Sequence, residues 1–228
     1  MHNYFLAKRP LLYKILSNMR QKINYEKLLY LNEIVNNNIV LDIGANKGYY
    51  TSLFSTLVGT LGEVHSFEPV PESYKELLKL KTGFKNVFRN NLAVGKESGM
   101  ATINYDPLDS EKASLVDTTL TLPKKYQTEV ISIDEYVENL KLTFVHFIKC
   151  DVEGLELEVL RGAMNTLKTL KPKVSLEITL AENDLKEAIH LLKSAEYSNF
   201  HKIEKDYPTF NINMHNFSED YFYLYASC

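Results

Sequence analysis

From residue 39 onward, short apolar segments alternate with segments of helical periodicity, and this alternation limits the choice of fold. The predicted buried strands cover residues 39–41, 63–68, 87–88, 144–149 and 173–178. Strands that alternate with helices predict a parallel sheet covered by helices on both faces, and therefore an α/β fold. Such sheets bind ligands beyond the carboxyl ends of their strands, near the point where strand order reverses. We therefore look for a site at residues 42–48, 68, 91, 150–153 and 177.

Two segments interrupt or end this pattern. Residues 93–132 predict a hairpin or strand-rich insertion, and the aromatic run at 221–225 predicts a last, well-buried strand. A single helix is expected from about Gly154, with Val159, Leu160 and Leu167 on one side. A further helix is predicted over 184–195 and a strand over 197–204.

Residues 1–37 form a predicted N-terminal helical extension, which precedes the main domain at 38–228. Residues 1–30 hold six basic side chains against one acidic side chain, Glu26, and their apolar residues recur at helical spacing. We interpret this segment as a cap packed on the main domain. The alternative is a basic amphipathic surface for a membrane or an acidic substrate.

Composition excludes several classes of protein. The formal net charge of −3 argues against a nucleic-acid partner held by bulk charge. Two cysteines, Cys150 and Cys228, cannot build a disulfide framework or a zinc cluster, and no metal site is assigned. The longest uncharged stretch, 48–62, is shorter than the roughly 18 apolar residues of a membrane span. Charged residues also interrupt the N-terminal apolar residues, so no signal peptide is expected and a cytoplasmic location is predicted.

The turn from Asp42 to Gly48 follows the first strand and has the composition of a ligand-binding turn. Two glycines four residues apart allow a tight turn and close approach of a ligand, but neither G-x-G-x-x-G nor a P-loop is present. Glu68 ends the second strand, where a carboxylate can accept both hydroxyls of a ribose. These residues predict a site for a nucleoside without pyrophosphate, which S-adenosylmethionine fits. Asp42 is then placed to balance the positive end of this cofactor.

Several segments, in order and spacing, resemble the FkbM family of S-adenosylmethionine-dependent methyltransferases over about residues 38–180. They are Asp42–Thr51, Phe67–Pro69, Asn91–Gly95, Ile131–Asp134, Ile148–Ala163 and Pro172–Glu177. The resemblance implies a Rossmann-like, seven-stranded, mostly parallel sheet with one antiparallel strand near the C-terminus. It also implies methyl transfer, most often to an oxygen of a sugar or secondary metabolite, so the expected partner is a small-molecule or glycan acceptor. Cys150 departs from the family pattern, and we expect it to be buried.

The resemblance also implies roles for single residues. The methionine part of the cofactor would lie against Gly44, Ala45, Asn46 and Gly48, the ribose against Glu68, and the adenine against Asn91 and Ala93. Asp151 would face the reacting end of the cofactor and is the leading candidate for the general base. Glu177, which ends the next strand, is the second candidate for that role. The two carboxylates could instead share a divalent cation, although no specific motif supports one.

Two other functional classes remain as alternatives at this stage. One is a nicotinamide-linked oxidoreductase on a related sheet, against which the broken glycine motif argues. The other is a non-catalytic nucleoside-binding module, against which the intact turn, Glu68 and Asp151 argue. A nucleic-acid methyltransferase is disfavoured because the chain has no Asp/Asn-Pro-Pro-Tyr/Phe motif. Acceptor choice is expected to depend on residues 93–132 and 205–220.

Overall fold

The computed structural model describes residues 24–80, 85–106, 109–114, 124–179, 182–203 and 221–228. The helices in these ranges are α1 (Tyr25–Glu33), α2 (Tyr49–Val58), α3 (Pro71–Lys79), α4 (Ile133–Leu140), α5 (Glu156–Arg161), α6 (Met164–Leu170) and α7 (Glu182–Ser194). The strands are β1 (Ile39–Ile43), β2 (Glu63–Phe67), β3 (Val87–Asn90), β4 (Ala93–Val94), β5 (Gly99–Asp106), β6 (Asp109–Ser114), β7 (Lys124–Ile131), β8 (Phe147–Cys150), β9 (Lys173–Thr179), β10 (Asn199–Lys202) and β11 (Tyr221–Ser227).

Seven of these strands form the main sheet, in the order β10-β11-β9-β8-β1-β2-β3. β11 is antiparallel to both of its neighbours, and the other pairs are parallel. The predicted α/β sheet and its antiparallel C-terminal strand are therefore confirmed. Strand order reverses between β1 and β8, and this reversal places the expected ligand site beyond the carboxyl ends of these strands.

The register of the sheet aligns the carboxyl ends of β1, β2 and β8 with Leu176 of β9, a strand that continues to Thr179. Ile43 of β1 pairs with Phe67 of β2 and with Cys150 of β8, and Cys150 in turn pairs with Leu176 of β9. Each of these four residues is followed by a residue that the sequence singled out. Their successors are Gly44, Glu68, Asp151 and Glu177, which therefore emerge side by side at one edge of the sheet.

The strands β4 to β7 form a separate four-stranded sheet in the order β4-β7-β5-β6, which confirms the predicted strand-rich insertion. Ile103 of β5 is buried and packs with Val70, which precedes α3. The insertion thus borders the ligand edge of the main sheet. Residues 107–108 and 115–123 of the insertion lie outside the described residues.

Two apolar clusters form the core. One contains Leu41 and Ile148 together with residues of α4 to α7. The other packs α1 and α2 against Val40 and Phe147. The fully buried Tyr30 of α1 contacts the rings of Tyr50, Phe54 and Phe147 edge-on, at centroid distances of 5.0, 4.9 and 5.6 Å. The helix α1, which belongs to the predicted extension, is thus built into the core, whereas residues 1–23 lie outside the described residues.

The prediction of a single helix from about Gly154 is wrong, because the chain forms two short helices there, α5 and α6. At Gly162 the chain passes so close to the insertion that a Cβ atom would lie 2.1 Å from the Gly95 carbonyl oxygen. The Asp134 carboxylate accepts hydrogen bonds from Asn165 N at 2.9 Å and Thr166 N at 2.7 Å, and so caps the start of α6. The helix α6 therefore begins at a cap supplied by Asp134, a residue distant in sequence. Among the described helices, none combines the length and apolarity of a membrane-crossing segment.

Candidate active site

A cavity of about 280 Å³ opens at the carboxyl ends of β1, β2, β8 and β9. Six residues that the sequence predicted line it: Gly44, Asn46, Glu68, Ala93, Asp151 and Glu177. The insertion closes one side through Ile103, and Tyr223 of β11 closes another. The charged residues that line the cavity within the described ranges are all acidic, so the cavity favours a ligand with positive charge.

The other four predicted residues do not line this cavity but shape its walls. Asp42 is fully buried, and its carboxylate accepts a hydrogen bond from Thr51 Oγ1 at 2.6 Å. Ala45 is buried and donates its backbone N–H to Phe67 O at 2.9 Å. These two residues fix the path of the turn after β1.

Gly48 and Asn91 hold the loops on either side of the cavity. Gly48 has φ +86°, and a Cβ atom there would lie 2.6 Å from Leu77 Cδ1 of α3. Asn91 donates from Nδ2 to the carbonyl oxygens of Glu68 at 2.8 Å and Pro69 at 3.1 Å. The Asn91 amide thereby fixes the loop that carries the buried carboxylate of Glu68.

The turn at Gly44 requires glycine. Its φ is +76°, and a Cβ atom would lie 1.7 Å from the Asp151 carbonyl oxygen. Asn46 also has a left-handed conformation, with φ 49°, and its backbone N–H donates to Glu68 Oε2 at 2.8 Å. The Asn46 Oδ1 atom is buried and finds no hydrogen-bond partner among the residues that the structure describes. An acceptor of this kind, beside the cavity, suits an N–H donor of a ligand.

Glu68 is buried at the end of β2. Its Oε1 accepts from Val70 N at 2.8 Å, and its Oε2 accepts from Asn46 N. Each oxygen keeps a second lone pair for a hydroxyl of a ligand. Burial raises the pKa of Glu68 to about 7, although both backbone N–H groups oppose this shift.

Asp151 and Glu177 form the acidic end of the cavity. Asp151 Oδ2 lies 3.0 Å from Lys149 Nζ, and carboxyl oxygens of Asp151 and Glu177 lie within 4.8 Å of each other. Burial disfavours the charge of Asp151, but the ammonium of Lys149 outweighs this and lowers the pKa of Asp151. Burial and the neighbouring carboxylate of Asp151 raise the pKa of Glu177 to about 9.

Carboxyl oxygens of Asp151, Glu153 and Glu177 lie within 4.8 Å of one another. Groups so close together can share a proton or approach a small cation. The ammonium of Lys149 already neutralises part of the negative charge of this cluster. Acidic clusters are common without an ion, so the geometry by itself assigns no metal site.

Lys149 is the main site residue that the sequence analysis missed. It lies in β8 and is buried, with Nζ 3.4 Å from Gly44 O, 3.9 Å from Asp42 Oδ1 and 5.6 Å from the ring centre of Tyr50. Burial alone would lower the pKa of this ammonium, but the nearby carboxylates raise it overall. A lysine within the otherwise apolar run 147–150 was the signal in the sequence.

Glu26 of α1 extends this polar network behind the cavity. It accepts hydrogen bonds from the hydroxyls of Tyr30, at 2.5 Å, and of Tyr50. Burial raises the pKa of Glu26, and the positive charge of Lys149 opposes that shift. The helix before the family-like segment thus contributes a buried acid to the electrostatics of the site.

Stability should depend on pH because of Glu68 and Glu177. In the folded protein the pKa of Glu68 is about 7 and that of Glu177 is about 9, both above the ordinary value of 4.5. At any pH between 4.5 and its folded pKa, each group therefore releases a proton when the protein unfolds. The free energy of unfolding is therefore expected to fall as the pH rises from 4.5 through both folded values. Urea unfolding of Glu177→Gln should lack the part of this fall that lies between pH 7 and 9. Glu76→Gln, an exposed control on α3, should keep the full slope. A full slope in both variants would contradict the assignment.

The main sheet has seven strands, one of them antiparallel, and a cavity lies where its strand order reverses. These features define a Rossmann-like methyltransferase fold. The chain belongs to the FkbM methyltransferase family, because the family described as "Methyltransferase FkbM domain" matches residues 42–199. The hexuronic acid methyltransferase AglP of Haloferax volcanii is 30% identical over 171 residues, which are 75% of this chain and 67% of that protein.

Two solved structures show the same fold. The FkbM methyltransferase from Methylobacillus flagellatus KT gives a TM-score of 0.60 at 19% identity and covers 90% of this chain. The chain spans only 48% of that structure. A putative rRNA methylase from Clostridium thermocellum gives a TM-score of 0.50 at 12% identity, over 89% of this chain and 92% of that one. At these identities the two structures support the fold and not a substrate.

Proposed function

We propose that this protein is an S-adenosylmethionine-dependent methyltransferase that methylates a hydroxyl oxygen of a sugar, a glycan or a secondary metabolite. The proposal rests on one observation: one cavity, located where the strand order of the sheet reverses, is lined by Gly44, Asn46, Glu68 and Asp151. Membership of a methyltransferase family gives the reaction type. The Haloferax relative is named a hexuronic acid methyltransferase, and this name favours a sugar acceptor.

The residues present fit S-adenosylmethionine. The acidic lining suits a ligand that carries a sulfonium and an ammonium, and the unpartnered Asn46 Oδ1 suits an N–H donor. Glu68 offers free lone pairs to ribose hydroxyls, and the left-handed backbone at Gly44 lets a ligand approach the main chain. Ala93 and the insertion residue Ile103 offer apolar surface for a base.

Glu68, Asn46 and the turn at Gly44 would hold S-adenosylmethionine in this cavity, where it would supply an electrophilic methyl group and a neutral sulfide leaving group. The chain's own task is to hold the acceptor oxygen in line and to accept its proton. Asp151 is placed for that proton, because it lies on the cavity wall and Lys149 keeps it ionised. Glu68 and the turn after β1 fix the donor and exclude water from it.

Binding of the demethylated product tests the cofactor assignment. S-adenosylhomocysteine is expected to bind in calorimetry and to raise the melting temperature, whereas NAD should do neither. Glu68→Gln should weaken S-adenosylhomocysteine by about 10- to 100-fold, since a hydrogen bond to a charged group contributes about 1.5–3 kcal/mol. Glu76→Gln should bind like the parent protein. Absence of binding, or equal binding by Glu68→Gln, would refute the proposed cofactor site.

Methyl transfer to an acceptor tests the reaction. A labelled methyl donor should mark one or more members of a panel of hexoses, hexuronic acids and hydroxylated secondary metabolites. Repeating the assay with EDTA tests a divalent cation at the carboxylates, which is the remaining alternative to direct proton transfer. Binding of S-adenosylhomocysteine without transfer to any acceptor would favour the non-catalytic binding module, and binding of NAD instead would favour the oxidoreductase. A location in the cytoplasm is part of this proposal.

A further inference from the structure

The carboxyl groups of Asp151 and Glu177 lie together on the wall of the cavity, with oxygens within 4.8 Å of one another. Two carboxylates that share a site repel each other, so one of them holds a proton more strongly than an isolated carboxyl group does. The location of that proton decides which carboxyl group accepts a hydrogen bond from a ligand and which donates one.

The surroundings of the pair distinguish the two groups. Lys149 Nζ contacts Asp151 Oδ2 at 3.0 Å, and this ammonium is buried, so its charge is weakly screened. Glu177 lies opposite Tyr223 of the antiparallel strand β11, and the negative charges of Asp151 and Glu153 both favour its protonated form. Other ionisable groups in the described residues also act on the pair or its lysine. They include Glu26 on α1, Asp42 on β1, Glu68 after β2, Glu156, which begins α5, and Tyr223 on β11.

We propose that Lys149 keeps the negative charge on Asp151 and leaves the shared proton on Glu177, so that the site presents a hydrogen-bond acceptor beside a donor. This proposal rests on the proposed methyltransferase function. In it, Asp151 acts as base, Glu177 is a specificity-determining donor, and Lys149 is a positioning residue that acts through Asp151.

An adjacent acceptor and donor match the oxygens of a vicinal diol, such as two neighbouring hydroxyls of a sugar ring. One hydroxyl donates to Asp151 and is the one methylated: its oxygen forms the new bond to carbon as its proton passes to the carboxylate. The neighbouring oxygen accepts from the Glu177 carboxyl group, which keeps its own proton throughout. The acceptor class is therefore a vicinal diol, and an isolated alcohol should be a poor substrate.

The location of the proton can be tested without any ligand. In protein labelled with ¹³C at glutamate side-chain carboxyls, one resonance should titrate near the raised pKa of about 9, clearly above that of Glu68, which should titrate near about 7. That resonance should be missing in Glu177→Gln and present in the exposed control Glu76→Gln. The same labelling of aspartates should show Asp151 ionised. A protonated Asp151, or an ionised Glu177 at neutral pH, would overturn the proposal.

Activity gives a second, independent test, because Gln keeps a hydrogen-bond donor and Ala does not. Glu177→Gln should retain kcat/KM within about tenfold, whereas Glu177→Ala should lose at least about tenfold more. Removing the neighbouring hydroxyl from the best acceptor in the panel should slow the parent enzyme strongly and Glu177→Ala hardly at all. If Glu177→Gln and Glu177→Ala lowered kcat/KM equally, the result would indicate that Glu177 acts as a base and would reject the donor role. If the parent protein methylates nothing, the proposed function fails while the NMR result still decides the location of the proton.

Discussion

Replacement of Asp151 by Asn is expected to lower kcat for methyl transfer by about 10²- to 10⁴-fold, the usual contribution of a positioned general base. Affinity for S-adenosylhomocysteine should change only a few-fold, because Asn preserves the shape of the cavity wall and the turn at Gly44 contacts Asp151 through its backbone. The loss should therefore fall on kcat and not on binding of the cofactor. Steady-state kinetics together with calorimetry measure both quantities on the same protein.

The control for Asp151→Asn is Glu76→Gln, which removes a carboxylate from an exposed pair with Lys79 on α3. It should leave both kcat and cofactor affinity unchanged. If Asp151→Asn kept kcat within tenfold of the parent value, the base would have to be sought elsewhere. A large loss of cofactor affinity would instead place the Asp151 carboxylate in the cofactor site.

Replacement of Lys149 by Met is expected to destabilise the fold by about 3–5 kcal/mol, as is usual when one partner of a buried ion pair is removed. Met has a similar length, so the loss reflects charge more than volume. Asp42 and Asp151 would lose their compensating cation, and Asp42 is fully buried. The loss should shrink toward acidic pH, where both carboxylates can take up protons. Denaturant unfolding at several pH values measures this effect.

Lys173→Met is the matched control, because Lys173 of β9 also pairs with a glutamate, Glu33, at 2.8 Å. That lysine is 45% exposed, so solvent screens the pair and its removal should cost less than about 1 kcal/mol. Similar losses for the two variants would show that burial of Lys149 adds little to its ion pairs. The difference between the two variants thus isolates the effect of burial.

The sequence was sufficient to predict the sheet and the edge that carries the site. Apolar strand segments separated by helical segments predict a parallel sheet, and the ends of parallel strands meet at one edge. Gly44, Glu68 and Asp151 each follow a strand directly and Glu177 lies near the end of β9, so their proximity follows from chain order once the register is known. The aromatic run at 221–225 predicted the strand β11, and the family resemblance added its antiparallel direction.

The buried side of the site could not be predicted, because it depends on which face of each strand packs against which helix. Side chains alternate along a strand, so Asp42 and Lys149 share a face with Val40 and Phe147, the face that α1 and α2 cover. Asp42 therefore turns away from the cavity and toward Lys149. Glu26 reaches the same layer from α1, a contact between residues far apart in sequence. The break at Gly162 likewise depends on the insertion and on Asp134, not on local propensity.

The region that matches the family and the region that folds as one core have different limits. The family match covers residues 42–199, yet Tyr30 lies at the centre of an aromatic cluster and β11 separates β9 from β10. A fragment cut at the limits of the match would uncover the Tyr50 and Phe54 rings and leave β9 as an open sheet edge. Expression of this domain alone should therefore retain α1 at one end and β11 at the other.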